Sequence, residues 1–253
     1  LSARAGNGSI YVLEANDLIV GDVGLSVNRV GSDASTTTAN SLDAVQSDVR
    51  TTGGSGSIVL RTTAGAITLN DGSDADDTAI SANGSGNILI QAQGTGSDIT
   101  AGADMVSGSG NVSVLAARSL VLSGTADIRT SSTSAGSGSI DAVAGTGGIT
   151  QSATSLITST GATATARLVA GTDVTVGDIV LGTGKVSITA TAGAILDADS
   201  SNDVEQNITA SALRLNAGMG IAQSANHLET TVGTLSARAG DGSIYVLEAD
   251  ALT

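Results

Sequence analysis

The chain has 253 residues, with 34 Gly, two Tyr and no Phe, Trp, Pro or Cys. So few large side chains exclude an aromatic-centred globular core and a transmembrane barrel with aromatic girdles; the missing Pro and Cys exclude collagen and disulfide scaffolds. Ten Lys and Arg against 24 Asp and Glu give a net charge of −14, which repels nucleic acid and anionic lipid, while 40% hydrophobic residues are too many for a disordered acidic tail.

Residues 1–19 read LSARAGNGSIYVLEANDLI, with no initiator Met and no signal-like segment, as expected for a piece of something longer. No run approaches the length of a membrane span, so membrane insertion is not expected. From Leu1 onward, Gly-rich turns lead into β-branched residues followed by alternating apolar positions: GSGSIVL (54–60), GSGNILI (84–90), GSGNVSV (108–114), GSGSIDA (136–142), GTGKVSI (182–188) and GDGSIYV (240–246). Related strand starts fall at Leu1, Leu25, Ile58, Ile88, Val112, Ile140, Leu168, Val186, Leu213 and Leu235, roughly 26 residues apart, a solenoid spacing. Period-two alternation, as in Ile58 and Leu60 or Val186 and Ile188, predicts strands. Each repeat divides into three of them, for example Val112, Leu120 and Ile128, or Ile140, Ile149 and Ile157. The segment 41–50 (SLDAVQSDVR) breaks the pattern and reads as one short helix or an irregular excursion.

Hairpins would need NG or DG at regular places, and these dipeptides occur only at residues 7, 71, 83 and 241. The sequence therefore predicts an all-β parallel β-helix, a β-solenoid whose stacked strands bury Ile, Val, Leu and Ala and whose Gly turns the corners. Residues 235–253, LSARAGDGSIYVLEADALT, repeat residues 1–19 with four differences: Asn7/Asp241, Asn16/Asp250, Asp17/Ala251 and Ile19/Thr253. Residues 1–234 thus read as one tandem tile of about nine three-strand turns, and 235–253 as the start of the next.

The [GA]-x-G-x-[IV] turns, the stretch from Leu213 to Gly218 followed by Gly220-Ile221, and the segment HLETTVGTL (227–235) resemble filamentous-haemagglutinin-like repeats of very large bacterial surface adhesins. The resemblance implies a right-handed coil, export, and display on the cell surface or in an extracellular filament. Its partners would be adjacent identical tiles, end to end, and a host or neighbouring-cell surface ligand.

Two acidic segments are candidate metal sites. In NDGSDADDT (70–78), Asp71, Asp74, Asp76 and Asp77 crowd one loop and offer hard oxygen ligands to Ca²⁺, or form a solvated acidic loop. In DADSSNDVE (197–205), Asp197, Asp199 and Asp203 partly match a calcium loop, but Asn202 stands where its Gly belongs and Ile208 where its bidentate Glu belongs. No catalytic residues are expected: one Lys (Lys185), one His (His227) and two Tyr offer no constellation for sugar or acyl chemistry. His227 is expected in an exposed turn, and Tyr11 and Tyr245, the same tile position, over a strand face. The Gly-rich turns lack the Lys-[ST] ending of a phosphate loop, and the Thr-x-Thr pairs at 163 and 189 are not repeated in register as an ice-binding ladder would require.

Overall fold

The computed structural model describes residues 1–37, 42–131, 138–199 and 205–252. Among them there is no helix; the chain coils through parallel sheets of 17 and seven strands. Three faces recur in chain order. The first begins with Ala3–Ala5, Val49–Thr51, Thr78–Ala82 and Asp104–Ser107; the second with Ile10–Glu14, Ile58–Thr62, Ile88–Ala92 and Val112–Ala116; the third with Leu18–Val20, Ile67–Leu69, Ile99–Ala101 and Leu120–Leu122. First and second faces count as one sheet because the late strands Ile208–Ala217 and Leu228–Ala239 turn the corner through a single unpaired residue, Ser211 or Gly233.

On the second and third faces rungs lie on the equivalent residues of their neighbours. On the second face Ile58, Ile88, Val112 and Ile140 form one inward column, Leu60, Ile90, Val114 and Ala142 the next, and Ala92, Ala116, Ala144, Ala170, Ala190 and Ala217 a third. Burial alternates accordingly along these strands. Each fully buried Ile or Leu of the columns contributes about 1.5–3 kcal/mol. The coil is narrow, so stacked aliphatics fill it and an aromatic ring would overpack it.

Corners are stacked too. Leading into the second face, the amides of Ser57, Asn87, Asn111 and Ser139 donate to the side chains of Ser9, Ser57, Asn87 and Asn111 at 2.8–3.1 Å. Beside this polar ladder the buried hydroxyls of Thr51, Ser107 and Thr130 donate to the carbonyls of Gly56, Gly86 and Gly110. Backbone groups turned inward at a corner need such partners. The glycines themselves touch: a Cβ on Gly110 would lie 2.1 Å from the Gly86 carbonyl oxygen, and one on Gly86 equally close to that of Gly56.

Leu25 does not begin a rung. It lies in Val23–Ser26, which pairs antiparallel with Leu42–Gln46, and beyond it Arg29–Val30 pairs with Thr36–Thr37. A hairpin thus leaves the coil after the third-face strand Leu18–Val20 and returns at Val49–Thr51. Of segment 41–50, Ser41 lies outside the described residues, and the remainder forms strand residues on either side of Ser47 and Asp48, so the excursion reading holds over the helical one. Alternation on a two-stranded hairpin is the same as on a rung, which is why Leu25 reads as one.

The two copies of the repeated segment dock on different faces. In the first, Ala3–Ala5 pairs with Val49–Thr51 on the first face and Ile10–Glu14 with Ile58–Thr62 on the second. In the second copy, Leu235 to Ala239 lies on Leu213 to Ala217 on the second face, Ile244 bridges Ile221 on the third, and Val246–Glu248 pairs on the first. Residues 235–244 therefore lie eight coils and one further face beyond residues 1–10, and because the second copy turns a corner at Tyr245, Val246–Glu248 lies two faces beyond Val12–Glu14. The four-residue corner (6–9 or 240–243) fits both junctions: Gly108 to Asn111 joins first to second face, and Gly145 to Gly148 second to third. Tyr11 accordingly points outward, 72% exposed, whereas Tyr245 packs against the core.

Gly110→Ala is expected to destabilise the fold by about 1–3 kcal/mol or more through overpacking. Gly8→Ala, in the same column but with nothing within 4 Å of its Cβ position, should be near neutral. Thermal melts of the two variants check the contrast.

Candidate functional site

The corner that leads into the first face carries a column of polar residues. Asp48, Asp104, Asp127, Asp178, Asn207 and Glu229 each stand one residue before an inward-facing position of that face. Three act on the next coil: Asp104 accepts the Asp127 amide at 2.8 Å, Asp127 that of Leu156 at 2.7 Å, and Asn207 that of Glu229 at 2.9 Å. Arg129 spans Asp104 and Asp127 at 3.1 and 2.5 Å. Burial nevertheless lifts the Asp104 carboxyl to about 6, outweighing the Asp127 amide and Arg129.

At Asp48 the pattern breaks. Its backbone carbonyl is held by the Ala3 amide at 2.8 Å and the Ser2 hydroxyl at 3.0 Å, and its φ is +61°. The facing strand carries a bulge between Thr78 and Ile80, and no donor among the described residues reaches either carboxylate oxygen of Asp48. The residue is only 1% exposed. Oxygens of Asp48, Asp71 and Asp74 lie within 4.8 Å of one another, and the buried Asp71 Oδ1 is likewise unpartnered. Arg50 approaches from outside, 3.7 Å from Asp74 and 3.8 Å from Asp76. Burial, reinforced by the charges of Asp74 and Asp76 and opposed by Arg50, pushes the Asp48 carboxyl up to about 7. Alongside opens a recess of about 500 Å³ lined by Arg4, Val45, Ser47, Arg50, Ser73 and Asp74, among others.

The four candidate carboxylates of segment 70–78 therefore separate. Asp71 and Asp74 converge on Asp48. Asp76 accepts the Thr78 amide at 3.0 Å, and Asp77 accepts the Thr125 hydroxyl at 2.8 Å, away from the cluster. In the second segment Asp197 accepts the Asn207 side-chain amide at 2.8 Å and the Asp199 amide at 3.1 Å, and burial raises its pKa. The Asp199 carbonyl accepts from Asn226 at 2.7 Å. Asp203 lies outside the described residues. The Asn226 contact joins neighbouring coils, whereas the Asp199 bond to Asp197 is local. His227 is half-buried rather than exposed, edge-on to Tyr245 at 5.8 Å between ring centroids.

Asp48 is the residue that segment-by-segment reading misses, because it stands in the irregular stretch before the acidic loop. A signal was present: Asp48-Val49-Arg50-Thr51 has the form of Asp127-Ile128-Arg129-Thr130, where the Asp serves the corner. No family model, no curated protein and no solved structure matches this chain.

A carboxyl whose pKa is higher folded than unfolded binds its proton first in the folded state, so stability rises as pH falls from above the folded value towards the unfolded one near about 4. With Asp48 at about 7 and Asp104 at about 6, the chelator-treated protein is expected to melt a few degrees higher at pH 5 than at pH 8. Asp48→Asn should raise the melting temperature at pH 8 and flatten the slope. Circular-dichroism melts across that range test this, and an unchanged slope refutes the assignment to Asp48.

Proposed function

We propose that this chain is a structural, non-enzymatic tile of a very large extracellular adhesin or fibre, of the filamentous-haemagglutinin-like kind that its turns resemble. In this reading β-solenoid tiles follow one another end to end to make a rigid rod, which carries a ligand-binding part away from the cell surface. The supporting observation is that the sequence of the first coil returns at residues 235–248 as further rungs on the existing ladders, so the coil runs on into another copy of itself. Each neighbour then covers the open edge of the last, and edges left uncovered favour association of copies. Side-chain ties between successive coils suit an axial load: Arg118 pairs with Asp98, Arg167 with Asp141 at 2.7 Å, and Arg61 with Gln91 at 2.9 Å. Singly such exposed pairs contribute little; repeated up the rod they resist sliding of coil on coil.

Concatenated chains of two and three tiles are expected to appear in electron micrographs as rods lengthening by about 40 Å per tile, from eight and one-third coils at about 4.8 Å each. Because the repeat returns one face later, the hairpins of successive tiles should point from successive faces and regain their azimuth after three tiles, about 120 Å. Hairpins aligned on one side would mean that the segment re-registers inside an array; separate globules would overturn the rod.

Antibodies against the tile are expected to label intact, unpermeabilised cells that express the native protein. Labelling only after lysis would overturn the extracellular placement.

A further inference from the structure

The hairpin leaves the coil near Asp22 and rejoins it at Asp48. Its root is tied to the acidic loop by one carboxylate, Asp22, which accepts the Ser47 hydroxyl at 2.7 Å and the Ser73 amide at 2.8 Å. Next to this tie sits the Asp48 side chain, almost wholly removed from solvent and without a donor among the described residues. A buried carboxylate normally finds two or three hydrogen bonds or a cation. Asp104 and Asp127, in the same column, find amides and a guanidinium. Asp48 faces Asp71 and Asp74 instead, and among the described residues neither Asp48 nor Asp71 forms an ion pair.

We propose that Asp48, Asp71 and Asp74 hold a calcium ion that pins the root of the hairpin to the coil. The spacing suits the ion: Ca²⁺–oxygen distances of about 2.3–2.6 Å place two ligand oxygens up to about 5 Å apart across the metal, and the three carboxylates offer atoms all within 4.8 Å. The donors are carboxylate oxygens, with no imidazole or thiolate in the group, which favours a hard cation. Four carboxylates, with Asp76, gather beside two guanidinium groups, Arg50, which approaches Asp74 and Asp76, and Arg4, which borders the recess, so the local charge is net negative and a divalent cation improves the balance. The neighbouring recess, bordered by Ser47, Ser73 and Asp74, has room for the water ligands that complete a six- to eight-oxygen shell. Asp76 and Asp77 fall outside the group of converging oxygens and bond Thr78 and Thr125 instead. The inference stands on this cluster alone and does not depend on the rod reading.

The test uses the 253-residue chain, stripped with chelator and melted with and without about 10 mM Ca²⁺ or Mg²⁺, alongside calorimetric titration with Ca²⁺. For a site with the weak affinity of extracellular modules, about 10⁻⁴–10⁻³ M, the expected rise in melting temperature is about 3–10 °C, with heat consistent with one ion per chain. Asp48→Asn should abolish both the rise and the heat, while melting in chelator at or above the parent temperature, which shows that it folds. Asp141→Asn, whose carboxylate pairs only with Arg167 on a distant coil, should keep the full rise. No rise in the parent chain overturns the site. An equal rise in Asp48→Asn would show screening of the −14 charge and also overturn it, and an equal response to Mg²⁺ overturns the choice of calcium.

Discussion

Parallel stacking, one coil directly upon the last in matched register, is the constraint from which the other features follow. A parallel ladder satisfies every strand's backbone only when each coil presents its strands at the same height and in the same order as its neighbour. Each position is then in contact with its equivalent above and below, about 4.8 Å away. Like residues meet like, as where Ile58, Ile88, Val112 and Ile140 share one column. The composition is a consequence: at that spacing Ile, Val, Leu and Ala stack, Gly passes carbonyl against Cα at the corners, and large rings do not fit.

The same rule governs the polar groups. The Ser and Asn ladder beginning at Ser9, the inward hydroxyls of Thr51, Ser107 and Thr130, and the carboxylates of Asp104 and Asp127 each bond a backbone group at a corner or on the next coil. Stacking thus converts a polar residue that would be a liability singly into a serviceable column. It also explains where a site arises. At Asp48 the strand opposite carries a bulge before Ile80 and no donor among the described residues takes the carboxylate; Asp71 and Asp74, from the loop that leads into Thr78–Ala82, lie there instead. The departure from periodicity, and not the periodic body of the coil, is where chemistry gathers.

Growth along one axis also accounts for the phase of the repeated segment. A strand of alternating small apolar residues between four-residue Gly corners suits any of the faces, since all three ask for the same inward pattern. What holds a copy to one face is only the count of strands that precede it. The chain therefore accommodates a repeated segment whose spacing is not a whole number of coils; Leu13 and Leu247 stay outward in both copies, while Tyr245, at the corner between Ile244 and Val246, packs against the core as Tyr11 does not.

Much of this was legible in the residues alone. Alternation and Gly-x-Gly turns located the second-face rungs from Ile58 to Leu235, and the missing aromatics specified a narrow coil, because both are one-dimensional consequences of stacking. Local pattern did not separate Leu25 from a rung, since a hairpin strand alternates as a rung does and differs only in its partner. It placed Asp71 and Asp74 in one loop but left out Asp48, which reaches them only because the hairpin closes on itself and returns the chain to the coil. The sequence by itself determined the repeating shape, through side-chain size and period. Only the tertiary structure decided which carboxylate was left without a donor and on which face the repeat returned, because both depend on what lies one coil away in space rather than on what lies next along the chain.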